Sequence, residues 1–576
     1  MLNANNIAKS DFFTSAFPAQ YGNANGGVFD LRLRDGNNEK KEFLGQIGFN
    51  GFEFGAEGPF SKNSKASYVV NYRYSTLGLL KNIGLDPGTG AATPLYQDLN
   101  FKVVVPTGNN GKFTAFGLGG FSSINLLGKD VDTTETNYYG AIDENTRPRY
   151  RSGIIGTSYE RNLSAKTWTK ISLAASHSGN NYTRDSIDLV TKAERLAGKG
   201  NFFDNKYSIV FAGTHKVSTR LSLGFGANTD FTYFGYKNTD FFSNNIDSVR
   251  VDRADNFTLS QGYVQGKYRV NERITLSGGL HSQYFSFNEK ATIEPRLGVR
   301  FLVGKTGSIN LGYGLHNQTL NTYNLLTRNA AGVETNKQLD FLRSNHFVAG
   351  YERMLTSTTK LKVETYYQLL DRIPVNTYPS SFSAVNIGAT FNPSDEADLT
   401  SKGTGYNYGV ELTLERYFNN GFYYLLTGSL FDSKYKGSDG IERNTAFNTN
   451  YAGNLLAGKE FKVGKKGNVF YTNIKVTTIG GKYFTPLDLA ASARRQQAVL
   501  DETRPFSEKQ DAYFRADIKV GYRKEFAKST LEIAVDIQNV TGNQNIFQEG
   551  YNKRTNAITY EYQQGFFPVP MVRYTF

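Results

Sequence analysis

The sequence predicts an all-β fold: a transmembrane antiparallel β-barrel of about 22 strands, preceded by a short N-terminal segment. Three observations favour this fold. Apolar and polar residues alternate along most of the chain, and the connections between the predicted strands alternate between short and long. The chain also ends on the last residue of a strand, in "PMVRYTF".

The composition is typical of strands and tight turns. The 576-residue chain contains 37 Tyr, 43 Phe and 58 Gly but only 14 Pro. It has no run of about 18 apolar residues, the length that a membrane-spanning helix needs. Cysteine is absent, which excludes a disulfide framework and a thiolate metal site. The net charge of +13 is spread singly through the strand patterns, which argues against a nucleic-acid partner.

The alternation is clear in "GYNYGVELTLERYF" at 405–418. Val410, Leu412 and Leu414 share one face of the predicted strand, and Glu411 and Glu415 share the other. The same pattern recurs in "KLKVETYYQ" (360–368), "FRADIKVGYR" (514–523) and "LEIAVDI" (531–537). A soluble β-sandwich can carry charges on its solvent face in the same way, so alternation alone does not identify a membrane barrel.

The lengths of the connections separate these two folds. The short connections are 61–65, 107–111, 163–166, 217–219, 271–272, 304–307, 356–359, 419–421, 464–467 and 527–530. Those between them are mostly long, at 77–94, 125–148, 179–204, 376–404, 481–511 and 543–570, with short exceptions at 50–51 and 288–292. An even strand count with short turns at one edge and long loops at the other indicates an outer-membrane barrel.

The C-terminus supplies the last strand of this barrel. Val572, Tyr574 and Phe576 form an apolar face opposite Met571 and Arg573. A barrel pairs its last strand with its first and so has no open sheet edge. We therefore predict that the final strand closes the barrel and that both termini lie at the edge with short turns.

The segment before the barrel, "DFFTSAFPAQYGNANGGVFDLRLRDGN" at 11–37, resembles the end of the plug domain of TonB-dependent receptors. The matching residues are Tyr21, Gly22, Gly26, Gly27 and Val28. Further matches lie in "EGPF" (57–60), "IEPRLGVRF" (293–301), "NYGVELTLERYF" (407–418), "DIQNVTG" (536–542) and the C-terminal Phe576. The resemblance covers essentially the whole chain and is greatest to receptors of the Bacteroidota. It implies a plug-domain remnant at 1–41 and a β-barrel at 42–576.

This resemblance also implies a function. TonB-dependent receptors lie in the bacterial outer membrane, with both termini in the periplasm, and import a scarce or large nutrient such as a siderophore, glycan, peptide or cobalamin. Because the chain begins near the last plug strands, we expect an N-terminally truncated form that behaves as a leaky pore. The alternatives are a passive porin-like channel and a surface binding or adhesion barrel.

The resemblance implies several partners and no cofactor. The TonB complex would act only through the missing N-terminal plug and TonB box. Outer-membrane lipid, lipopolysaccharide and a surface lipoprotein are further candidates, and the barrel-assembly machinery would recognise Phe576. The sequence has no Gly-rich phosphate loop, no His-Glu-x-x-His motif and no Ser nucleophile elbow, so we do not expect an enzyme.

Several polar residues are predicted to face the lumen. His316 and His346 flank one long connection, and we expect them to meet near its base. Ordinary hydrogen bonding is the preferred interpretation of this pair, and a metal or proton role is the alternative. The lumen-facing ion pairs are Glu294 with Arg296 and Arg515 with Asp517. We expect these pairs to hold the plug.

Aromatic and basic residues in the long loops are the candidates for ligand contact. Aromatic faces suit sugars and planar chelates, and arginine suits carboxylates or phosphates. The candidates are Tyr138, Tyr139, Tyr483, Phe484, Arg494 and Arg495. The alternative is that they form the aromatic girdle or contact lipopolysaccharide.

Overall fold

The computed structural model describes residues 2–49, 51–77, 94–108, 110–128, 143–188, 190–242, 247–389, 394–553 and 555–576. Its strands, numbered in chain order, are β1 (Asp11–Phe13), β2 (Val28–Asp30), β3 (Glu42–Gly48), β4 (Gly51–Pro59), β5 (Ser67–Tyr74), β6 (Leu95–Thr107), β7 (Gly111–Ser123), β8 (Leu126–Leu127), β9 (Glu144–Ser164), β10 (Thr167–Ile187), β11 (Glu194–Lys216), β12 (Leu221–Phe241), β13 (Asp247–Arg269), β14 (Ile274–Phe285), β15 (Lys290–Val303), β16 (Gly307–Gln318), β17 (Leu342–Met354), β18 (Thr359–Asn376), β19 (Leu399–Asn419), β20 (Phe422–Lys436), β21 (Glu442–Asn444), β22 (Tyr451–Val463), β23 (Asn468–Ile479), β24 (Tyr483–Phe484), β25 (Glu508–Lys509), β26 (Tyr513–Glu525), β27 (Thr530–Gln538), β28 (Ile546–Asn552), β29 (Ala557–Tyr562) and β30 (Phe567–Thr575).

Helical structure is sparse in the described ranges. Short α-helices lie at Thr322–Leu325 and Leu489–Arg495, and single 3-10 turns lie at Ala4–Asn6 and Ala384–Asn386. None of these described helices has both the length and the apolar character that crossing a membrane requires.

Twenty-two antiparallel strands form a closed barrel: β3–β7, β9–β20, β22, β23, β26, β27 and β30. The ring closes between β30 and β3. The Phe43 N–H donates to the Phe576 carbonyl at 2.8 Å, and the Phe576 N–H donates to the Phe43 carbonyl at 3.0 Å. The two rings stack with centroids 5.5 Å apart. The predicted barrel and its closing strand are confirmed.

The two faces of the wall differ as the alternation predicts. Ile293 faces outward on β15 and is 70% exposed, whereas the adjacent Glu294 faces the lumen and is fully buried. On β19, Leu412 faces outward, and Glu411 lies directly opposite Glu364 of β18 on the inner face. The outer surface is therefore apolar and the inner surface polar, as a barrel in lipid requires.

The connections sort by length as predicted, with one correction. The predicted loop at 179–204 is wrong, because β10 continues to Ile187 and β11 begins at Glu194. The two strands pair in register as far as Ile187 opposite Glu194, with a bulge between Arg184 and Asp185. Polar residues beyond the apolar band here form a long hairpin. The chain enters β3 and leaves β30 at the edge with short turns.

A rim cluster of apolar side chains lies at the edge with long loops. The connection 319–341 contributes Tyr323, Leu325 and Leu326, which are buried against Phe234 and Phe285 of the wall. The Tyr323 hydroxyl donates to Asp395 at 2.7 Å. Burial and this hydrogen bond raise the pKa of Tyr323, so its phenol remains a donor. The connections 319–341 and 377–398 are therefore locked together.

Placing a cation on the outer face of β19 should destabilise the barrel. We expect Leu412→Arg to cost about 2–4 kcal/mol, because it buries a guanidinium in the apolar band. The matched control is Glu411→Gln, which lies one residue away in the lumen and relieves a like-charge contact with Glu364. Urea unfolding of refolded protein in lipid measures both, and equal losses would show that the faces are misassigned.

Candidate functional site in the lumen

An N-terminal segment, residues 2–41, lies inside the barrel. Its two strands, β1 and β2, pair with each other, with Phe13 opposite Val28. The chain between these strands reaches the inner wall, and Phe17 there is only 1% exposed. The closed wall provides the polar inner surface against which this segment rests.

Arg296 of β15 is the centre of the contact between the wall and the segment. Its Nη1 donates to a group of carbonyls, 2.5 Å from Pro18 O, 2.6 Å from Tyr21 O and 3.3 Å from Phe17 O. Its guanidinium carbon also lies 4.9 Å from the centroid of the Phe17 ring. The Arg296 side chain therefore binds the segment both by charged hydrogen bonds to carbonyls and by a cation–π contact with the Phe17 ring.

Glu294 balances the charge of Arg296. The Arg296 Nη2 donates to a Glu294 oxygen at 2.8 Å, and both side chains are almost completely buried. The other carboxylate oxygen accepts hydrogen bonds from Gln283 at 2.8 Å and from Thr292 at 2.9 Å. A buried ion pair is tolerated only when its remaining groups are hydrogen-bonded in this way.

Three lumen histidines complete this site. His281 Nδ1 lies 2.8 Å from Ala19 O, so this nitrogen carries the proton and donates. His346 Nδ1 accepts from the Ala16 N–H at 3.3 Å. The His316 ring lies 3.9 Å from the Phe17 ring and 4.5 Å from the His346 ring. The structure thus brings His316 and His346 together, against the N-terminal segment.

The residues singled out near the end of this segment have distinct surroundings. The Tyr21 hydroxyl donates to Asp30 at 3.1 Å. A Cβ on Gly22 would lie 2.1 Å from His281 Nε2, and one on Gly27 would lie 2.7 Å from a backbone carbonyl. A Cβ on Gly26 would meet nothing within 4 Å. Close packing therefore requires glycine at 22 and 27 but not at 26.

The same segment also binds the opposite side of the wall. Arg34 makes a bidentate pair with Glu57 of β4, with both distances 2.7 Å. Lys102 of β6 lies 2.6 Å from Asp35. Strands β4 and β6 lie ten and eight strands from β15 in the ring of 22, so the segment crosses the lumen. Sequence reasoning missed these contacts because Glu57 and Lys102 are single charges in alternating strands, and the alternation does not identify Arg34 or Asp35 of the N-terminal segment as their partners.

The tip of the segment touches both ends of the long connection 319–341. Asn23 Oδ1 accepts from the Thr319 N–H at 2.8 Å. Asn25 Nδ2 donates to Leu342 O at 3.3 Å. The segment is therefore in direct contact with the loop that forms the rim cluster. The apolar run "YNLL" within that loop was the sequence signal for this buried connection.

The remaining predicted residues lie elsewhere. Arg515 and Asp517 pair at 2.6 Å, but Asp517 also accepts from the Asn539 N–H at 2.8 Å. This ion pair holds the start of a long connection, and among the described residues it makes no hydrogen bond to the N-terminal segment, so its role in holding the plug stays a prediction.

The loop candidates for ligand contact are at the rim. Tyr483 and Phe484 form β24, which pairs with β25, and Lys509 Nζ lies 5.1 Å from the Tyr483 ring centroid. Arg494 and Arg495 are exposed in the last turn of the helix Leu489–Arg495. Tyr138 and Tyr139 lie outside the described residues. In the part of the chain that is described, no cluster of three metal-ligating residues occurs.

A 22-strand barrel with a polar segment crossing its lumen defines a large barrel of the outer-membrane type. Residues 95–540 match the model of the family TonB dependent receptor-like, beta-barrel, and the chain belongs to this family. A search of curated proteins gave no match.

Solved structures with the same fold include three receptors. The pyoverdine outer membrane receptor FpvA from Pseudomonas aeruginosa PAO1, bound to pyoverdine, has 12% identity and a TM-score of 0.73 over 99% of this chain and 83% of its own. The siderophore receptor PiuA from Acinetobacter baumannii has 11% identity and a TM-score of 0.70 over 99% and 86%. The ferric yersiniabactin uptake receptor FyuA from Yersinia pestis has 11% identity and a TM-score of 0.67 over 96% and 82%. At these identities the likeness shows the fold alone.

Adding one methyl group at Gly22 should loosen the segment. Because His281 is buried and fixed by Ala19, we expect Gly22→Ala to weaken docking by about 1–3 kcal/mol, the usual cost of overpacking. Hydrogen exchange at the Ala16 and Tyr21 amides should accelerate by roughly 5- to 150-fold. Gly26→Ala is the matched control and should leave exchange unchanged. Equal exchange in both variants would contradict the assigned packing.

Proposed function

We propose that this chain is the barrel, with the end of a plug domain, of an outer-membrane receptor that imports a scarce or large nutrient in a TonB-dependent manner. Residues 1–41 are assigned to the plug and 42–576 to the barrel. The observation that carries this proposal is the segment fixed across the lumen by Arg296 on one side and by Arg34 on the other.

The obstruction favours an energised receptor over a passive channel. A barrel of about 22 strands encloses a lumen wide enough for large solutes unless it is filled. Opening a passage past Arg296 requires breaking its hydrogen bonds to three carbonyls of the segment. Such a step needs work from outside the barrel, which TonB supplies in this family by pulling on the plug. A passive porin gains nothing from such a contact.

The N-terminal segment contacts a long loop at the rim of the barrel, so a ligand that binds this loop can act on the plug. Asn23 and Asn25 contact the two ends of the connection 319–341. A nutrient that displaces this loop would therefore alter the docking of the segment directly. Arg494 and Arg495, with Tyr483 and Phe484, are the proposed ligand contacts at the rim. Siderophore, glycan, peptide and cobalamin remain the candidate classes.

The proposed orientation places both termini in the periplasm and the long loops outside the cell. The barrel-assembly machinery would read Phe576, whose ring is exposed on the outer face beside Tyr574. Lipopolysaccharide and a surface lipoprotein are proposed as partners on the outside. This orientation follows the family and the short-turn position of both barrel ends.

Nutrient uptake in the native cell should depend on both this gene and TonB. We expect one member of a panel of labelled ferric siderophores, glycans, peptides and cobalamin to lose uptake on deletion of the gene. Deletion of TonB should cause the same loss, because the segment fixed across the lumen must move before a large solute passes; uptake that does not depend on TonB would instead match the leaky pore that the sequence predicts. Uptake that disappears with the gene but persists without TonB would identify a passive channel, and no loss for any compound would favour a binding or adhesion barrel.

Single cysteines can report the orientation, because the chain contains none. We expect a membrane-impermeant maleimide to label Gln497→Cys, in a long loop, on intact cells. Lys305→Cys, in the short turn between β15 and β16, should react only after the outer membrane is permeabilised. Both positions are exposed, so reactivity reports sidedness. The reverse labelling pattern would overturn the proposed topology.

A further inference from the structure

Three of the five histidines in the chain lie where the N-terminal segment meets the inner wall. His281, His316 and His346 belong to β14, β16 and β17, and each side chain is no more than 1% exposed. Residues 16–22 of the segment cover all three rings. We call His316 and His346, whose rings are in contact with each other, the histidine pair.

His346 holds the segment only as a neutral imidazole. Its Nδ1 accepts a hydrogen bond from the Ala16 N–H at 3.3 Å. An imidazolium carries hydrogen on both ring nitrogens and has no lone pair with which to accept. Proton uptake by His346 therefore breaks this hydrogen bond and leaves the Ala16 N–H without its acceptor.

His316 is enclosed by rings rather than by hydrogen-bonding groups. Its ring centroid lies 3.9 Å from that of Phe17 and 4.5 Å from that of His346. Among the described residues, neither nitrogen of His316 has a hydrogen-bond partner. A charge buried without a partner is costly, so the His316 ring stays neutral as long as Phe17 covers it.

On one side of the histidine pair the charges are already balanced. Arg296 of β15 contacts the same Phe17 ring, and its charge is paired with that of Glu294. His281 of β14 lies opposite Glu294 and donates to Ala19 O, a hydrogen bond that an imidazolium retains. Proton uptake by His281 therefore does not oppose docking, whereas a proton on the histidine pair adds a second cation beside Arg296.

On the other side the adjacent groups are neutral. Ser344 of β17 lies opposite His316, and Gln368 of β18 lies opposite His346. The acidic Glu364 is four residues, about 13 Å, further along β18 and is paired with Lys362. In this described part of the wall, β17 and β18 thus place a hydroxyl and an amide, and no carboxylate, directly opposite the histidine pair.

We propose that the histidine pair is a pH-sensitive contact that holds the N-terminal segment at neutral pH and releases it in acid. Undocking exposes both rings to water in the lumen, where an imidazole takes up a proton with a pKa of about 6.5. The docked geometry excludes that proton. Because the undocked state binds more protons, docking is favoured above this pH and weakens as the pH falls through it.

Hydrogen exchange of the full chain in lipid discs tests this proposal. The readout is the protection factor of the Ala16 amide, which compares its exchange rate with that of the same amide in an unstructured peptide at the same pH. From pH 7.5 to pH 5.5 this protection should fall about 10-fold if docking excludes one proton and about 100-fold if it excludes two. Amides in the middle of β11, a strand paired on both sides, should keep their protection. This reference distinguishes undocking from loss of the barrel.

Replacing both rings should remove the pH dependence. In His316→Asn with His346→Asn, the Asn oxygen at 346 supplies a non-titrating acceptor for the Ala16 N–H. We expect protection at Ala16 in this variant to change less than about twofold over the same pH range. The matched control, His177→Asn with His215→Asn, removes two imidazoles that hydrogen-bond within the wall and should respond to pH as the parent does. Heat-modifiable gel migration verifies that each variant is folded.

A fall in protection in the parent and the control, absent from the variant of the histidine pair, supports the proposal. Constant protection at Ala16 in the parent, or a pair variant that responds to pH as the control does, would overturn it. If the double variant does not dock at pH 7.5, the single variants His316→Asn and His346→Asn replace it, and an undiminished response in both would equally overturn the proposal. The assay uses neither TonB nor nutrient, so its failure is distinguishable from failure of the proposed transport function.

Discussion

Backbone hydrogen bonding in the absence of water is the constraint on which this structure depends. Inside a bilayer each unpaired N–H or C=O costs several kcal/mol, so a sheet there must close on itself. The reciprocal hydrogen bonds between Phe43 and Phe576 complete that closure. Everything else follows from the closed ring: strands of period two, one face for lipid and one for the lumen, and connections confined to the two edges.

In the closed ring the polar side chains line the interior, so the free-energy cost of burying charge arises there. A polar inner wall buries charge wherever another segment covers it, as at Glu294 and Arg296. The N-terminal segment offers the carbonyls of Phe17, Pro18 and Tyr21 to the same guanidinium. Wall and segment satisfy each other's polar groups, and a charged side chain or carbonyl buried at this contact without its partner would cost free energy. Docking is therefore specific, because each polar group at the contact has a defined partner.

The sequence predicted the barrel well because closure in lipid imposes a pattern on every strand. Leu412 and Glu411 could be assigned to faces from their neighbours alone, and Phe576 from its place at the end. The long hairpin of β10 and β11 was missed because strand residues beyond the apolar band lose their alternation but keep their hydrogen bonds. Contacts such as Arg34 with Glu57 were missed for a different reason: a charge on an inner face shows that it is polar without identifying its partner.

Register decides what an arginine does in this wall. Arg296 faces inward on β15, is buried, and holds the chain that crosses the lumen. Arg151 of β9 is exposed and lies opposite the exposed Phe121 on the outer face. A shift of one residue in either strand would exchange these faces, placing a charge in lipid and an apolar side chain in the lumen. The alternation that allows the barrel to exist in the membrane thus also distributes its cations between an internal contact and an external surface.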